Sequence, residues 1–283
     1  MRILADHSLP GLEAAFPHPF ILSTYTCSEE LPEALSNQEV LLCRSTIKVN
    51  SDLLAASSIK YVATASSGVD HIDKAYLMQQ KISLIDARGA NANSVADYIM
   101  ASLAWLQKHG LLTGKKAGII GVGMVGTEVS ARLQSLGYQV YCYDPPRQVL
   151  DLSFQSCPIE ALYQCDILCI HAALHHQAPY PTYHLLDANF LKNLKPHCVL
   201  LNAARGGIVQ EEALLDRPES LIYCTDVFAG EPNVNKDIIA RSTLCTPHIA
   251  GHSKEAKYAA VAMASTKLHD ILGLAQPIFA KPD

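Results

Sequence analysis

The chain has 283 residues, 49% of them hydrophobic and 17% charged, and a formal net charge of −5. That length suits about two domains of ~150 residues each, and the balance is that of a globular protein with a sizeable core. A net-negative chain without a dense Lys/Arg run excludes nucleic acid as its main partner, because a phosphate backbone calls for a basic face.

No run approaches the ~20 apolar residues of a membrane span, so no membrane partner is expected. The opening Met1-Arg2-Ile3-Leu4-Ala5-Asp6 turns acidic too soon for a secretion signal, and the expected compartment is the cytoplasm. Nine cysteines, an odd number without a Cys-x-x-Cys pair, lie in apolar stretches such as Val40-Leu41-Leu42-Cys43. They read as buried reduced thiols, with neither a disulfide framework nor a metal site expected.

In chain order, strands are predicted at residues 2–5, 39–43, 60–64 and 82–85, with helices over 29–35 and 51–56. A long helix is predicted over 93–109. Ser94-Val95-Ala96-Asp97 resembles a capping box at its start. Ile99, Met100, Leu103 and Leu106 recur at helical spacing and read as core, and Gly110 can end the helix. From Lys116 the pattern restarts. Strands are predicted at 117–120, 139–143, 166–170, 199–202, 221–226 and 243–245, and a last helix over 254–272. Strands alternating with helices imply βαβ units. The expected fold is α/β, with two Rossmann-like domains, mostly parallel sheets and an interdomain cleft. The first domain is expected at 1–92, rejoined by 267–283, and the second at 93–266.

The second half begins with Gly121-Val122-Gly123-Met124-Val125-Gly126 directly after an apolar strand and directly before a helical pattern. In such a motif the first glycine permits a tight turn, the second lets backbone amides approach a pyrophosphate, and the third lets helix and strand pack closely. The helix start offers free N–H groups to phosphate. The next strand ends on Asp144, where an acid can hold the ribose hydroxyls of NAD. Arg147 follows and can in principle accept a 2′-phosphate, but Asp144 repels one, so NAD is expected over NADP.

Oxidising an alcohol with NAD also needs a base, a group that tunes the base, and a cation for the substrate's charge. Three successive strand ends supply them. Asn202-Ala203-Ala204-Arg205-Gly206-Gly207 offers a guanidinium able to hold a carboxylate in bidentate fashion. Asp226-Val227-Phe228-Ala229-Gly230-Glu231-Pro232 offers Glu231, and Thr246-Pro247-His248-Ile249-Ala250-Gly251 offers His248 as acid/base. Each alone reads as an ordinary turn. Three in succession behind a dinucleotide motif read as a site.

Those three motifs resemble the signatures of the D-2-hydroxyacid dehydrogenase family, and the resemblance covers nearly the whole chain. It implies that Arg205, Glu231 and His248 form the catalytic set. Residues 42–50, 63–73 and 144–147, and the loop at 178–185, resemble one group of the family, whose substrate is a small phosphorylated hydroxy acid. By that resemblance Ser45 and Ser66 contact substrate. Asp144, Ala172, Ala203, Ala204, Arg205, Asp226 and Gly251 contact NAD, with Gly121, Gly123, Met124, Val125 and Gly126. Arg44, Ser45 and Lys48 put cations and a hydroxyl on one loop, suited to a phosphate, and Ser66-Ser67-Gly68 offers amides to a carboxylate. The group carries a tyrosine that contacts substrate where this sequence has His252. It also carries a C-terminal dimerisation domain, which is expected to be lacking here: either the protein is a shortened relative, or its homodimer is built differently, through residues 93–109 as in the wider family. The alternatives are a dehydrogenase for another small D-2-hydroxy acid, such as a phosphoglycerate, and a non-catalytic NAD(H)-binding regulatory module.

Overall fold

The structure is a computed structural model in which residues 1–216 and 220–279 are described. By its contacts the chain divides into two units, Met1–Asn91 with His252–Asp283, and Ala92–Gly251.

The first unit holds a five-stranded sheet in the order β2-β1-β3-β4-β5, formed by β1 (Arg2–Asp6), β2 (Ile21–Tyr25), β3 (Val40–Cys43), β4 (Tyr61–Thr64) and β5 (Ser83–Asp86). All pairings are parallel. Parallel strands covered on both faces read as continuous apolar runs, and β3 is buried throughout. One face packs Ile3, Ala5, Val40, Leu42 and Ile85 against Val261, Ala264 and Leu268 of the helix Lys254–Leu272. The other packs Leu4, Leu41 and Val62 against Leu31, Leu54 and Leu77 from short helices. The last helix therefore belongs to this unit from its start, where Ser253 caps it by accepting from the Ala256 amide. The sequence reading placed the return near residue 267. The apolar positions that decide it, Val261 and Ala264, declare their face only once packed. Strand β2 was not predicted. It lies at the edge of the sheet, and its Ile21 is 58% exposed, so Ile21-Leu22-Ser23-Thr24-Tyr25 shows no buried run.

The second unit holds a six-stranded parallel sheet in the order β11-β10-β9-β8-β6-β7. Its strands are β6 (Lys116–Ile120), β7 (Gln139–Tyr143), β8 (Ile167–Ile170), β9 (Val199–Asn202), β10 (Ile222–Thr225) and β11 (Leu244–Cys245). The helices Ala92–Lys108 and Met124–Ser135 cover one face through Ile99, Leu103, Leu106, Val129 and Leu133. The other face closes on Phe190, Leu191 and Leu214.

In each sheet the first strand of the unit, β1 or β6, lies between the second and the third. The chain therefore winds outward in both directions, and the loops part at β1/β3 and at β6/β8. Such switch points, at the C-terminal ends of the strands, are where open α/β sheets take ligands. Among the described residues no helix is long and apolar enough to cross a membrane. None of the nine cysteines, all of them among the described residues, is in a disulfide. Burial pushes Cys43 and Cys198 up to about 12, so they are not poised as nucleophiles.

Candidate active site

Strand β6 runs into the glycine loop, and the helix Met124–Ser135 starts at once. Gly121 has a φ of +85°, and a Cβ there would lie 2.4 Å from the Ala172 amide nitrogen. A Cβ on Gly126 would lie 2.1 Å from the Gly121 carbonyl oxygen. The chain's own backbone thus demands glycine at both ends of the loop. A Cβ at Gly123 would meet nothing within 4 Å. Open space beside the first helical turn, which carries Met124 and Val125, suits a pyrophosphate approaching the free amides.

Asp144 follows β7 and is fixed from three sides. Its Oδ2 accepts from the Val122 amide at 2.7 Å and its Oδ1 from the Arg147 amide at 3.0 Å, while its own amide donates to Ser156 Oγ at 2.9 Å. Each carboxylate oxygen has a further lone pair for a ribose hydroxyl. Arg147 turns away from that role. Its Nη1 donates to the Val122 carbonyl at 2.6 Å and its guanidinium lies over the Phe154 ring at 4.5 Å. The guanidinium holds the glycine loop instead of waiting for a 2′-phosphate, which fits NAD.

Across the β6/β8 switch point, the His171 amide donates to the Ile120 carbonyl at 2.7 Å. Both of its ring nitrogens are buried and without a partner among the described residues, and burial pushes the imidazole down to about 3. Buried polar atoms are normally paired, and a ligand at the switch point would satisfy these. Sequence reasoning did not find His171, because a histidine after an apolar strand does not announce that its ring is buried. Ala172, the next residue, is half-buried.

Strand β9 ends at Asn202, whose buried side chain folds the next turn. Its Oδ1 accepts from the Ala204 amide at 3.1 Å, and its Nδ2 donates to the Arg205 carbonyl at 3.0 Å. Arg205 Nη1 donates to the Ala204 carbonyl at 2.7 Å. Gly206 lies so close to the loop after β10 that a Cβ would sit 2.0 Å from the Phe228 oxygen. The Arg205 turn and the Glu231 loop are thereby locked together. The carboxylate of Glu211, which burial pushes up from its ordinary value, accepts from the Ala229 amide at 2.7 Å and steadies the same loop.

Glu231 Oε1 accepts from the Phe228 amide at 2.8 Å, and its Oε2 lies 2.7 Å from His248 Nδ1. The carboxylate is oriented by its own loop and in turn orients the imidazole. A proton on Nδ1, facing Glu231, leaves Nε2 as the acceptor. His248 itself has a φ of +55°, unusual for a non-glycine residue, and so must be held there. Asp226 does the holding. It is 1% exposed; Oδ1 accepts from Thr246 Oγ1 at 2.6 Å and from the Ile249 amide at 2.8 Å. Its Oδ2 accepts from the Ala250 amide, and its carbonyl from the His248 amide, both at 2.8 Å. Tyr98 Oη lies 2.6 Å from Thr246 Oγ1; because the threonine hydrogen is given to Asp226, the tyrosine is the donor. Burial, and then the charge of Asp226, push the Tyr98 phenol up. The sequence resemblance gave Asp226 a cofactor contact. Here its bonds organise the histidine loop, through a partner on a distant helix that no motif contains.

The structure thus brings Glu231 and His248 into direct contact and ties the Arg205 turn to their loops. Ala203, Ala204 and Gly251 flank these groups in the same unit. In the first unit, Arg44 and Ser45 follow β3, and Ser66, Ser67 and Gly68 follow β4. The Ser45 amide donates to Ser66 Oγ at 3.1 Å, joining the two loops, and Ser67 Oγ donates to Asn91 Oδ1 at 2.6 Å. Lys48 is exposed on the same loop as Arg44, and His252 is exposed where the chain re-enters this unit.

A doubly wound sheet with this glycine loop, an acid at the end of its second strand and a Glu–His pair at later strand ends defines an NAD-dependent dehydrogenase. Residues 91–250 match the family model for the D-isomer specific 2-hydroxyacid dehydrogenase, NAD binding domain, and the chain belongs to that family of NAD-dependent D-2-hydroxyacid dehydrogenases. It is 56% identical over 283 residues to the erythronate-4-phosphate dehydrogenase of Legionella pneumophila, covering 100% of this chain and 81% of that protein. To the enzyme of the same name from Coxiella burnetii it is 42% identical over 265 residues, covering 93% of this chain and 72% of the relative. Among solved structures, the NAD+-bound 3-phosphoglycerate dehydrogenase of Entamoeba histolytica superposes with a TM-score of 0.80 at 24% identity, covering 100% of this chain and 99% of that one. The NAD complex of formate dehydrogenase from Staphylococcus aureus gives 0.73 at 23% identity, over 100% of both chains. At such identity these two bear on the fold.

Proposed function

We propose that this enzyme oxidises the 2-hydroxyl of 4-phosphoerythronate to the 2-oxo acid, as a step in pyridoxal phosphate biosynthesis. The observation that carries the catalytic part is the 2.7 Å contact of His248 Nδ1 with Glu231 Oε2, which presents Nε2 as a base. His248 takes the hydroxyl proton at Nε2. Glu231 stabilises the imidazolium that forms and keeps the ring in one orientation. Arg205 binds the substrate carboxylate and polarises the carbonyl as it develops. NAD, when bound, supplies the hydride acceptor, and the glycine loop with Asp144 holds it. The amides of Ser66, Ser67 and Gly68 serve the carboxylate. Arg44, Ser45 and Lys48 serve the phosphate, and His252 donates to a hydroxyl or phosphate oxygen.

The identity to two relatives of that name supports the substrate. The test is a panel of 4-phosphoerythronate, 3-phosphoglycerate, erythronate and lactate with NAD, followed by the absorbance of reduced nicotinamide. Turnover is expected to be fastest with 4-phosphoerythronate. Preference for 3-phosphoglycerate or for an unphosphorylated acid would replace the substrate. Tight NADH binding without oxidation of any acid would replace the enzyme with a binding module.

A further inference from the structure

The first unit has a switch point of its own, between β1 and β3. The loop after β1 is His7-Ser8-Leu9-Pro10-Gly11, whose one glycine is the residue just before the next helix. The helix behind it, Leu12–Ala15, is only four residues long and so aligns too few peptide dipoles to attract an anion. The charged groups here are side chains.

The side chains are arranged across the gap. Arg44, the first residue after β3, donates from Nη1 to Ser8 Oγ at 2.6 Å. Ser8 donates from Oγ and from its amide to Asp6 Oδ1, at 2.6 and 2.9 Å. Arg44 Nη1 lies 3.9 Å from Asp6 Oδ2. A serine has one hydroxyl hydrogen, and Asp6 takes it, so the Ser8 oxygen can only accept from the guanidinium. The relay therefore has a fixed direction, from Arg44 through Ser8 to Asp6. It engages one of five guanidinium N–H donors, and the Arg44 side chain is still 31% exposed. Tyr25, opposite Asp6 in the β1–β2 register, adds a separate observation. Its hydroxyl is buried with no partner among the described residues, in a place where the charges of Asp6 and Arg44 both reach it.

We infer that Asp6 and Ser8 are positioning residues for substrate recognition, which hold the Arg44 guanidinium at the β1/β3 switch point as a fixed anchor for a phosphate monoester. An arginine that its ligand must immobilise loses rotamer freedom on binding, and one already held does not. The gain is in affinity for the phosphorylated end, not in the chemical step. The inference rests on the phosphorylated-substrate reading above.

The test compares wild type with Ser8→Ala, Ser8→Thr and Asp6→Asn. Each is assayed on 4-phosphoerythronate and on erythronate, with inorganic phosphate as a competitive inhibitor. Ser8→Ala is expected to raise both the KM for the phosphorylated acid and the phosphate Ki about 10- to 150-fold, the size of one hydrogen bond to a charged group. Its kcat should stay within about twofold, as a change confined to binding requires. Ser8→Thr, which keeps the hydroxyl, should behave as wild type, and Asp6→Asn should move KM in the direction of Ser8→Ala. Should Asp6→Asn fail to fold, the exposed Ser8 pair carries the test alone. Unchanged KM and Ki in Ser8→Ala, an equal rise in KM for plain erythronate, or a fall in kcat at constant KM overturns the inference. A wild type indifferent to the phosphate group removes the substrate reading and the inference together. A wild type that prefers it, with Ser8→Ala unaltered, removes the inference alone.

Discussion

The two sheets are wound alike and solve the same problem with different groups. At the β6/β8 switch point the groups offered to a ligand are backbone amides. Three glycines keep side chains out, a 12-residue helix aligns its dipole, and Asp144 pins the loop through the Val122 amide. At the β1/β3 switch point there is no such helix and no such loop, and the polar groups are side chains, Asp6, Ser8 and Arg44. The difference follows from the ligands expected at each. A pyrophosphate in mid-cofactor can be met by many weak, fixed dipoles spread along a loop. A terminal phosphate is compact, and one planar guanidinium with several N–H donors matches it. A backbone site is legible as spacing, because only glycine fits. A side-chain site is legible only when its members are seen together.

The comparison can be broken first at the chemistry. His248→Ala should lower kcat about 10²- to 10⁴-fold while NADH binding, measured by fluorescence titration, persists. Near wild-type turnover in a clean preparation would remove His248 from its role. Next comes the backbone site itself. Gly123→Ala places a methyl where the protein has open space, so its thermal midpoint should be nearly that of wild type. Its NADH Kd should rise about 10- to 100-fold, the range expected when one methyl intrudes on a close contact. Loss of stability with unchanged Kd would mean that the space is not the cofactor's.

A smaller effect tests the buried support under His248. Thr246→Val removes the hydroxyl that donates to Asp226 and leaves Tyr98 without its acceptor. It should cost about 1.5–3 kcal/mol in denaturant unfolding, as for a hydrogen bond to a charged group. Turnover should fall with it as the histidine loop loosens.

The smallest lies in the first unit, where Lys267 of the last helix donates to the Asp86 carboxylate at 2.8 Å. That bond, chiefly, holds the Asp86 carboxyl below its ordinary value of 3.8. A carboxyl with a depressed folded pKa contributes stability above its unfolded value and loses it as pH falls through the folded one. Lys267→Ala should therefore be less stable at neutral pH by about 0.5 kcal/mol, discounted for the exposure of the lysine. The gap should narrow as pH falls below 3.8, and a gap that widens in acid would contradict the pairing.

How far the sequence could be read varied with the kind of signal. Strand β9 and the helix Lys254–Leu272 have the bounds their hydrophobic patterns suggest, because burial on both faces or along one stripe leaves a pattern in the chain. Strand β2 leaves none, since an edge strand with Ile21 exposed obeys no buried run. The proposed catalytic set was visible as three motifs at three strand ends. The 2.7 Å contact of Glu231 with His248 was not, and neither was the dependence of the His248 loop on Tyr98, 148 residues before its partner Thr246. His171 and the Ser8–Asp6 relay carried no motif at all. Each is an ordinary residue whose meaning comes from what is packed beside it.

By itself, then, the sequence determined the two windings, the family, the cofactor and the identity of the candidate acid/base. Those depend on local rules: which residues tolerate a tight turn, which repeat at strand or helix spacing, and which can carry a proton near neutral pH. Only the tertiary structure decided where the chain returns to its first unit, which groups hold His248 in a left-handed backbone conformation, and that Arg44 is already gripped by Ser8. Those depend on contacts between residues far apart in the chain, and the energy of such contacts lies in distance and burial, which no spacing encodes.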